Sequence, residues 1–307
     1  MKRSAWWLLM VSAVPVLAIA HGGIDAAKRS VEASMLVTGE IAVNPDGSVY
    51  GYSLDHRDKL PPDVVNLIGE TLTDWKFTPV KVDGKPELAK AFMSLRVVAY
   101  QDKPTHFVAA VEGAEFGNDA ALYMDSCPPD ECLTYATKQP PAYPLDLARD
   151  GVSGTVYVEL KVNRQGRVAD LAVRQVDLRM LGDETELARW RASLAQATVA
   201  AARKWTFHIP LKGKAAQQSQ WFVTAPVNYV MAVAQTAGYG SWDAYVPGPI
   251  YPMPWSQSDV RQNATGGSGD AVPDSGTPFI ADARFQLLTP LAKSGAAKPP
   301  VGNPGPG

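Results

Sequence analysis

The chain has 307 residues, 46% of them hydrophobic and 20% charged, with a formal net charge of −2 at pH 7. That is the balance of a globular protein long enough for two domains of ordinary size. It offers no clustered basic face, so a nucleic-acid partner is not expected.

Along the chain, Lys2 and Arg3 precede an uncharged run, residues 5–20, that ends in Ala18-Ile19-Ala20. A charged start, an apolar middle and small residues at the end describe a secretory signal peptide, here residues 1–20. The run falls short of the ~20 residues that span a bilayer comfortably. A retained inner-membrane anchor is the alternative, and membrane contact is expected only in that case.

Residues 31–100 read as a first module. A β-rich stretch at residues 35–43 meets the turn signal Pro45-Asp46-Gly47 and continues into Val49-Tyr50-Gly51-Tyr52, a hairpin. Pro61, Pro62 and Asp63 then open a helix, since proline and an acidic residue both suit a first helical turn. Val64, Ile68, Leu72 and Trp75 recur at helical spacing and belong on one buried face. Residues 91–100 close the module as a strand.

Residues 101–139 form a connector, with a strand expected at residues 106–111. Within it lie the chain's two cysteines, in Cys127-Pro128-Pro129-Asp130-Glu131-Cys132. In an exported protein this pair reads as a structural disulfide. Four residues separate the sulfurs, and no helix follows to activate a thiolate, which argues against a redox dithiol.

The second module spans residues 140–235. Pro141-Ala142-Tyr143-Pro144 leads into a helical turn stopped by Gly151. Residues 155–162 alternate as a half-buried strand, with Tyr157, Glu159 and Lys161 on the outward side, and a return strand covers residues 168–176. The helix of residues 183–205 places Leu187, Trp190, Leu194, Ala197, Ala201 and Trp205 on one stripe. A last strand runs through Trp221, Phe222, Val223, Thr224, Ala225, Pro226, Val227, Asn228, Tyr229 and Val230. The tail, residues 236–307, is rich in Gly and Pro and carries Tyr239, Trp242, Tyr245, Tyr251 and Trp255. Such a segment builds no core of its own, so its end is expected to be disordered, while its aromatic rings could dock on the second module.

The two modules repeat one pattern. Gly39, Val43-Asn44-Pro45-Asp46-Gly47-Ser48-Val49, Trp75-Lys76-Phe77 and Gly84-Lys85 answer to Gly154, Val162-Asn163-Arg164-Gln165-Gly166-Arg167-Val168, Trp205-Thr206-Phe207 and Gly213-Lys214. What repeats is framework and turn chemistry. No nucleophile elbow, phosphate loop or paired carboxylates appear, so no enzymatic chemistry and no cofactor are expected.

On Pro141-Ala142-Tyr143-Pro144, Gly154-Thr155-Val156-Tyr157-Val158, the segment from Val162 to Val168, Ala200-Ala201-Ala202-Arg203-Lys204-Trp205-Thr206-Phe207 and Pro226-Val227-Asn228-Tyr229, the second module resembles the C-terminal domain of the TonB energy-transducer family. Residues 35–100 look like a degenerate copy without the Tyr-Pro lead-in. The resemblance implies an α+β fold of two tandem modules, each a small antiparallel sheet with one helix packed on a face. It also implies a protein partner, an outer-membrane receptor segment that adds as a strand along residues 221–230, in a periplasmic protein linked to transport across the outer membrane. Proline at Val223 and Val227 is the substitution expected to block that pairing. Two features depart from a working transducer: the region after the leader is itself folded, and the Pro-rich segment lies at the opposite end. A soluble binding or assembly factor reusing the fold is the second reading.

Other residues have plainer explanations. Trp75, Phe77, Trp205 and Phe207 sit at helix ends and read as core plugs rather than a stacking site. His56, His106 and His208 have no partner at metal spacing. His21 could bind copper only as a mature amino terminus, and Asn44, Asp46 and Gly47 lack the remaining ligands of a calcium loop, so no metal is expected.

Overall fold

The structure, a computed structural model, describes residues 31–103, 106–117, 130–131, 133–213, 215–231, 238–253, 255, 270–272, 278–280 and 284–291. The expected leader, His21, Cys127 and Cys132 lie outside these residues.

The first unit begins with β1 (Glu32–Val43) and β2 (Val49–Leu54), followed by α1 (Pro62–Thr73). A short hairpin of β3 (Lys81–Val82) and β4 (Lys85–Pro86) precedes β5 (Ala89–Lys103) and β6 (His106–Gly117). β1 is central: it pairs antiparallel with β2 and β5, and β5 in turn pairs with β6. Alternation along β1 and β5 sends Met35, Val37, Ile41, Met93, Leu95 and Val97 to the face beneath α1, which contributes Val64, Val65, Ile68 and Leu72. Trp75 and Phe77 plug the end of this core, edge-on to one another at 6.2 Å. The connector contributes more than its sequence announces. Its strand reaches Gly117 and lies along β5, because Ala114 and Phe116 alternate onto the same core face and a bulge at Glu112 brings Val111 onto it as well.

The second unit comprises β7 (Thr134–Thr137), α2 (Leu145–Asp150), β8 (Gly154–Asn163), β9 (Val168–Leu178), α3 (Glu184–Ala202), β10 (Thr206–His208) and β11 (Gln220–Tyr229). β8 is central, antiparallel to β9 on one side and β11 on the other, while β10 pairs with β7. A capping box starts α3: the Asp183 side chain accepts from the Glu186 N–H, and the Glu186 carboxylate accepts from the Asp183 N–H. Its buried stripe is Leu187, Trp190, Leu194, Thr198 and Ala202. Of the expected stripe, Ala197 packs half-buried against the core, while the fully buried line runs through Thr198 and Ala202 rather than Ala201. Thr198 can be buried because its hydroxyl donates to the Leu194 carbonyl at 2.9 Å and meets the Tyr229 hydroxyl at 2.9 Å.

The architecture is therefore α+β, with antiparallel sheets and a helix on one face of each. The repeated turns repeat in space as well. Gly47 (φ 83°) and Gly166 (φ 67°) occupy the left-handed region, and each carbonyl accepts from a core-plug phenylalanine, Phe77 at 2.8 Å and Phe207 at 2.7 Å. A Cβ at either position would stand 2.1 Å from that phenylalanine's carbonyl oxygen, so no other residue fits.

A twelfth strand, β12 (Asp243–Tyr245), comes from the tail and pairs with β1 at residues 32–34. The tail docks on both units, with the Tyr239 ring against the first unit and the backbone of Tyr251, whose side chain is 45% exposed, against the second. The Tyr239 hydroxyl donates to the Asp55 carbonyl of the first unit at 2.8 Å, whereas the Tyr251 N–H donates to the Arg174 carbonyl of the second at 2.8 Å.

The faces of β5 and β8 that point away from the helices are also covered, which corrects the expectation that β8 is half-buried. Tyr157 and Glu159 are buried, because the outer face of β8 meets the outer face of β5. Arg96 of β5 is the centre of this contact. It donates to Ser34 Oγ at 2.7 Å, to Tyr157 Oη at 3.0 Å and to the Asp270 backbone carbonyl at 2.9 Å, and pairs with the Asp270 carboxylate at 3.1 Å. Burial alone would lower the Arg96 pKa, but Asp270, Tyr157, Tyr245 and Asp177 outweigh it and hold the guanidinium charged.

Candidate functional site

Strand β11, together with Val230 just beyond it, is the segment that the sequence points to. Trp221, Val223, Ala225, Val227 and Tyr229 are all buried and face the core under α3. Phe222, Thr224, Pro226 and Asn228 therefore take the other face, where Phe222 and Asn228 are exposed and Pro226 is buried. The register with β8 runs without a bulge from Gln220 opposite Asn163 to Tyr229 opposite Gly154. One long edge of β11 is thus satisfied, and the other faces away from the sheet.

Which backbone groups face that outer edge follows from a single contact. The Thr224 N–H donates to the Phe279 carbonyl at 3.0 Å, and the Phe279 N–H donates to the Thr224 carbonyl at 3.3 Å, forming an isolated antiparallel bridge. Thr224 thus turns its polar backbone outward, and by alternation so do Phe222, Pro226 and Asn228. Pro226 carries no N–H and falls at an outward position, where it breaks no bond to β8. Val223 and Val227 point their N–H groups inward to β8. Proline at those positions would break the sheet itself, so the substitution expected from sequence tests folding rather than edge binding.

The equivalent edge in the first unit is closed. β5 occupies the place of β11, and β6 pairs with it from Phe92 opposite Gly117 to Lys103 opposite His106. The remaining edge of the second sheet is also touched by the tail, through reciprocal bonds of 3.1 and 2.7 Å between Leu178 and Val246. Arg191 fastens that contact by donating to the Pro247 carbonyl at 2.9 Å.

Close to the contact between the units lies Asp177. Its Oδ1 accepts from Gln175 Nε2 at 2.8 Å and from the Gly248 N–H at 2.9 Å. Burial pushes its pKa up to about 7, helped by the Asp270 carboxylate and opposed by those hydrogen bonds and the Arg96 charge. Sequence reading missed Arg96 and Asp177, since a charged residue alternating along a strand looks like an ordinary solvated face, and Asp270, since an acidic residue in a Gly-rich tail carries no signal of burial. Among the described residues no group of three or more His, Cys, Asp or Glu is placed to hold a metal ion, and no helix is long and apolar enough to cross a membrane.

No curated protein and no solved structure matches the chain. Residues 139–231, which run from the lead-in of α2 to the end of β11, match the family described as Gram-negative bacterial TonB protein C-terminal. The second unit of this chain is a domain of that family.

Proposed function

We propose that this protein acts by protein–protein binding in the cell envelope, with the second unit receiving an extended partner segment along the outer edge of β11. The partner class is the periplasmic segment of an outer-membrane receptor, which links the protein to TonB-dependent transport. Export through residues 1–20 places it in the periplasm, and the first unit is a diverged copy of the same domain. The observation that carries the reading is the Thr224–Phe279 bridge, in which this edge already takes extended backbone in antiparallel register. Strand addition supplies ladder hydrogen bonds for affinity and alternate side chains for specificity.

The same bridge favours a second reading. Because the chain's own tail sits on β11 and β6 closes β5, a soluble assembly factor that reuses the fold without energy coupling would also show self-occupied edges.

A pair of proline variants tests the first reading. Phe222→Pro removes an outward N–H and leaves the β8 ladder intact, so it is expected to weaken binding of a receptor segment by about tenfold without lowering the melting temperature. Val223→Pro removes an inward N–H and is expected to lower the melting temperature. Unchanged binding by folded Phe222→Pro would exclude pairing at this edge.

A further inference from the structure

The tail segment on β11 is a small, well-defined contact. Phe279 is 4% exposed, and its ring packs with Phe92 of β5 and Val272 of the tail in a cluster separate from both main cores. Gly117, at the end of β6, presents no side chain there. A Cβ at that position would stand 3.2 Å from the ring. Ile280 packs against the core of the second unit. The pocket beside the β11 edge is therefore lined by the first unit and the tail, and it holds a flat, bulky ring.

We propose that residues 278–280 are a resident cap on β11, and that the segment which displaces them carries an aromatic residue opposite Thr224, seated in the Phe92–Val272–Gly117 pocket. The proposal rests on the reading of β11 as the partner-binding edge. Two observations make the cap displaceable yet persistent. Among the described residues it forms one rung, at Thr224, whereas an incoming strand that also paired with Phe222 would add a second. It is nevertheless held nearby on both sides, by Asp270 on Arg96 and by Phe285, Leu287 and Leu291 in the first core, so its effective concentration is high. Specificity follows from the same geometry, because a partner lacking the ring would leave the pocket empty.

The test uses the full chain and a synthetic peptide of residues 276–282, in its natural form and with alanine in place of the phenylalanine. Phe279→Ala is expected to bind the natural peptide about tenfold more tightly than the wild-type chain does, and about tenfold more tightly than it binds the alanine peptide. Hydrogen exchange supplies the control. The Thr224 amide should lose protection in Phe279→Ala while the Val223 and Ala225 amides, bonded to β8, keep theirs. Equal peptide binding by the two chains, or an unprotected Thr224 amide in the wild type, overturns the cap. A receptor segment bound equally by both chains also overturns it while leaving the β11 reading intact. If Phe279→Ala takes up the phenylalanine peptide but no receptor segment, the cap stands and the transport reading fails.

Discussion

Asp177 shows how a residue with no sequence signal acquires a property from its surroundings. Its carboxyl is buried beside Asp270 and Arg96, and its pKa rises from the ordinary 3.8 to about 7. The folded state therefore binds the proton more tightly than the unfolded chain. Stability from this group is fully present below about pH 4 and is lost as pH rises through 7. Melting temperatures measured from pH 4 to pH 8 should fall more steeply for the wild type than for Asp177→Asn, which keeps the acceptor oxygen for Gln175 and Gly248. Parallel curves would show that Asp177 is not the titrating group. Other residues were legible directly. Asn44 with Gly47 and Asn163 with Gly166 read as turns because a positive φ and a close carbonyl leave few alternatives, and that is how both pairs are built.

At the scale of elements, helix α3 tests local chemistry. Asp183→Ala removes the acceptor for the Glu186 N–H and is expected to cost about 1 kcal/mol, measurable by urea denaturation. A loss below 0.3 kcal/mol would mean that the box adds nothing beyond solvent. The course of the same helix was readable only in part. Leu187, Trp190 and Leu194 follow from apolar spacing, but the stripe continues through Thr198, a polar residue whose burial depends on Tyr229 from a distant strand. β11 had a similar limit. Its residues and inward face follow from alternation, whereas the direction of its outward N–H groups required a contact more than fifty residues away.

The whole molecule is held together by its tail. Leu288 donates its N–H to the Lys76 carbonyl at 2.7 Å, and the Thr78 N–H donates to the Gln286 carbonyl at 2.9 Å, so residues 286–288 pair with the Trp-x-Phe segment of the first unit. In the second unit the corresponding Trp-x-Phe segment, β10, pairs instead with β7, from the chain just before its own domain. Phe285, Leu287 and Leu291 enter the first core as a result. Leu287→Ala should therefore destabilise the protein by 2–5 kcal/mol, about what a core leucine costs, although it lies far from the first unit in sequence. Leu288→Ala, at a side chain 59% exposed, should change stability by less than about 0.5 kcal/mol. Similar urea midpoints for the two variants would contradict the tail's place in that core.

The sequence by itself determined the two sheets, their hairpin turns, the buried helices and the family of the second unit. Each of these depends on side chains close together in the chain, through alternation, helical spacing or the steric demands of a turn. Tertiary structure alone decided which strand edges the connector and the tail cover, that Tyr157 and Glu159 are buried, and that Arg96, Asp177 and Asp270 form one charged contact. Those outcomes depend on what lies against a face or an edge. That neighbour is set by contacts between residues more than fifty positions apart, for which a local pattern of polar and apolar side chains carries no record.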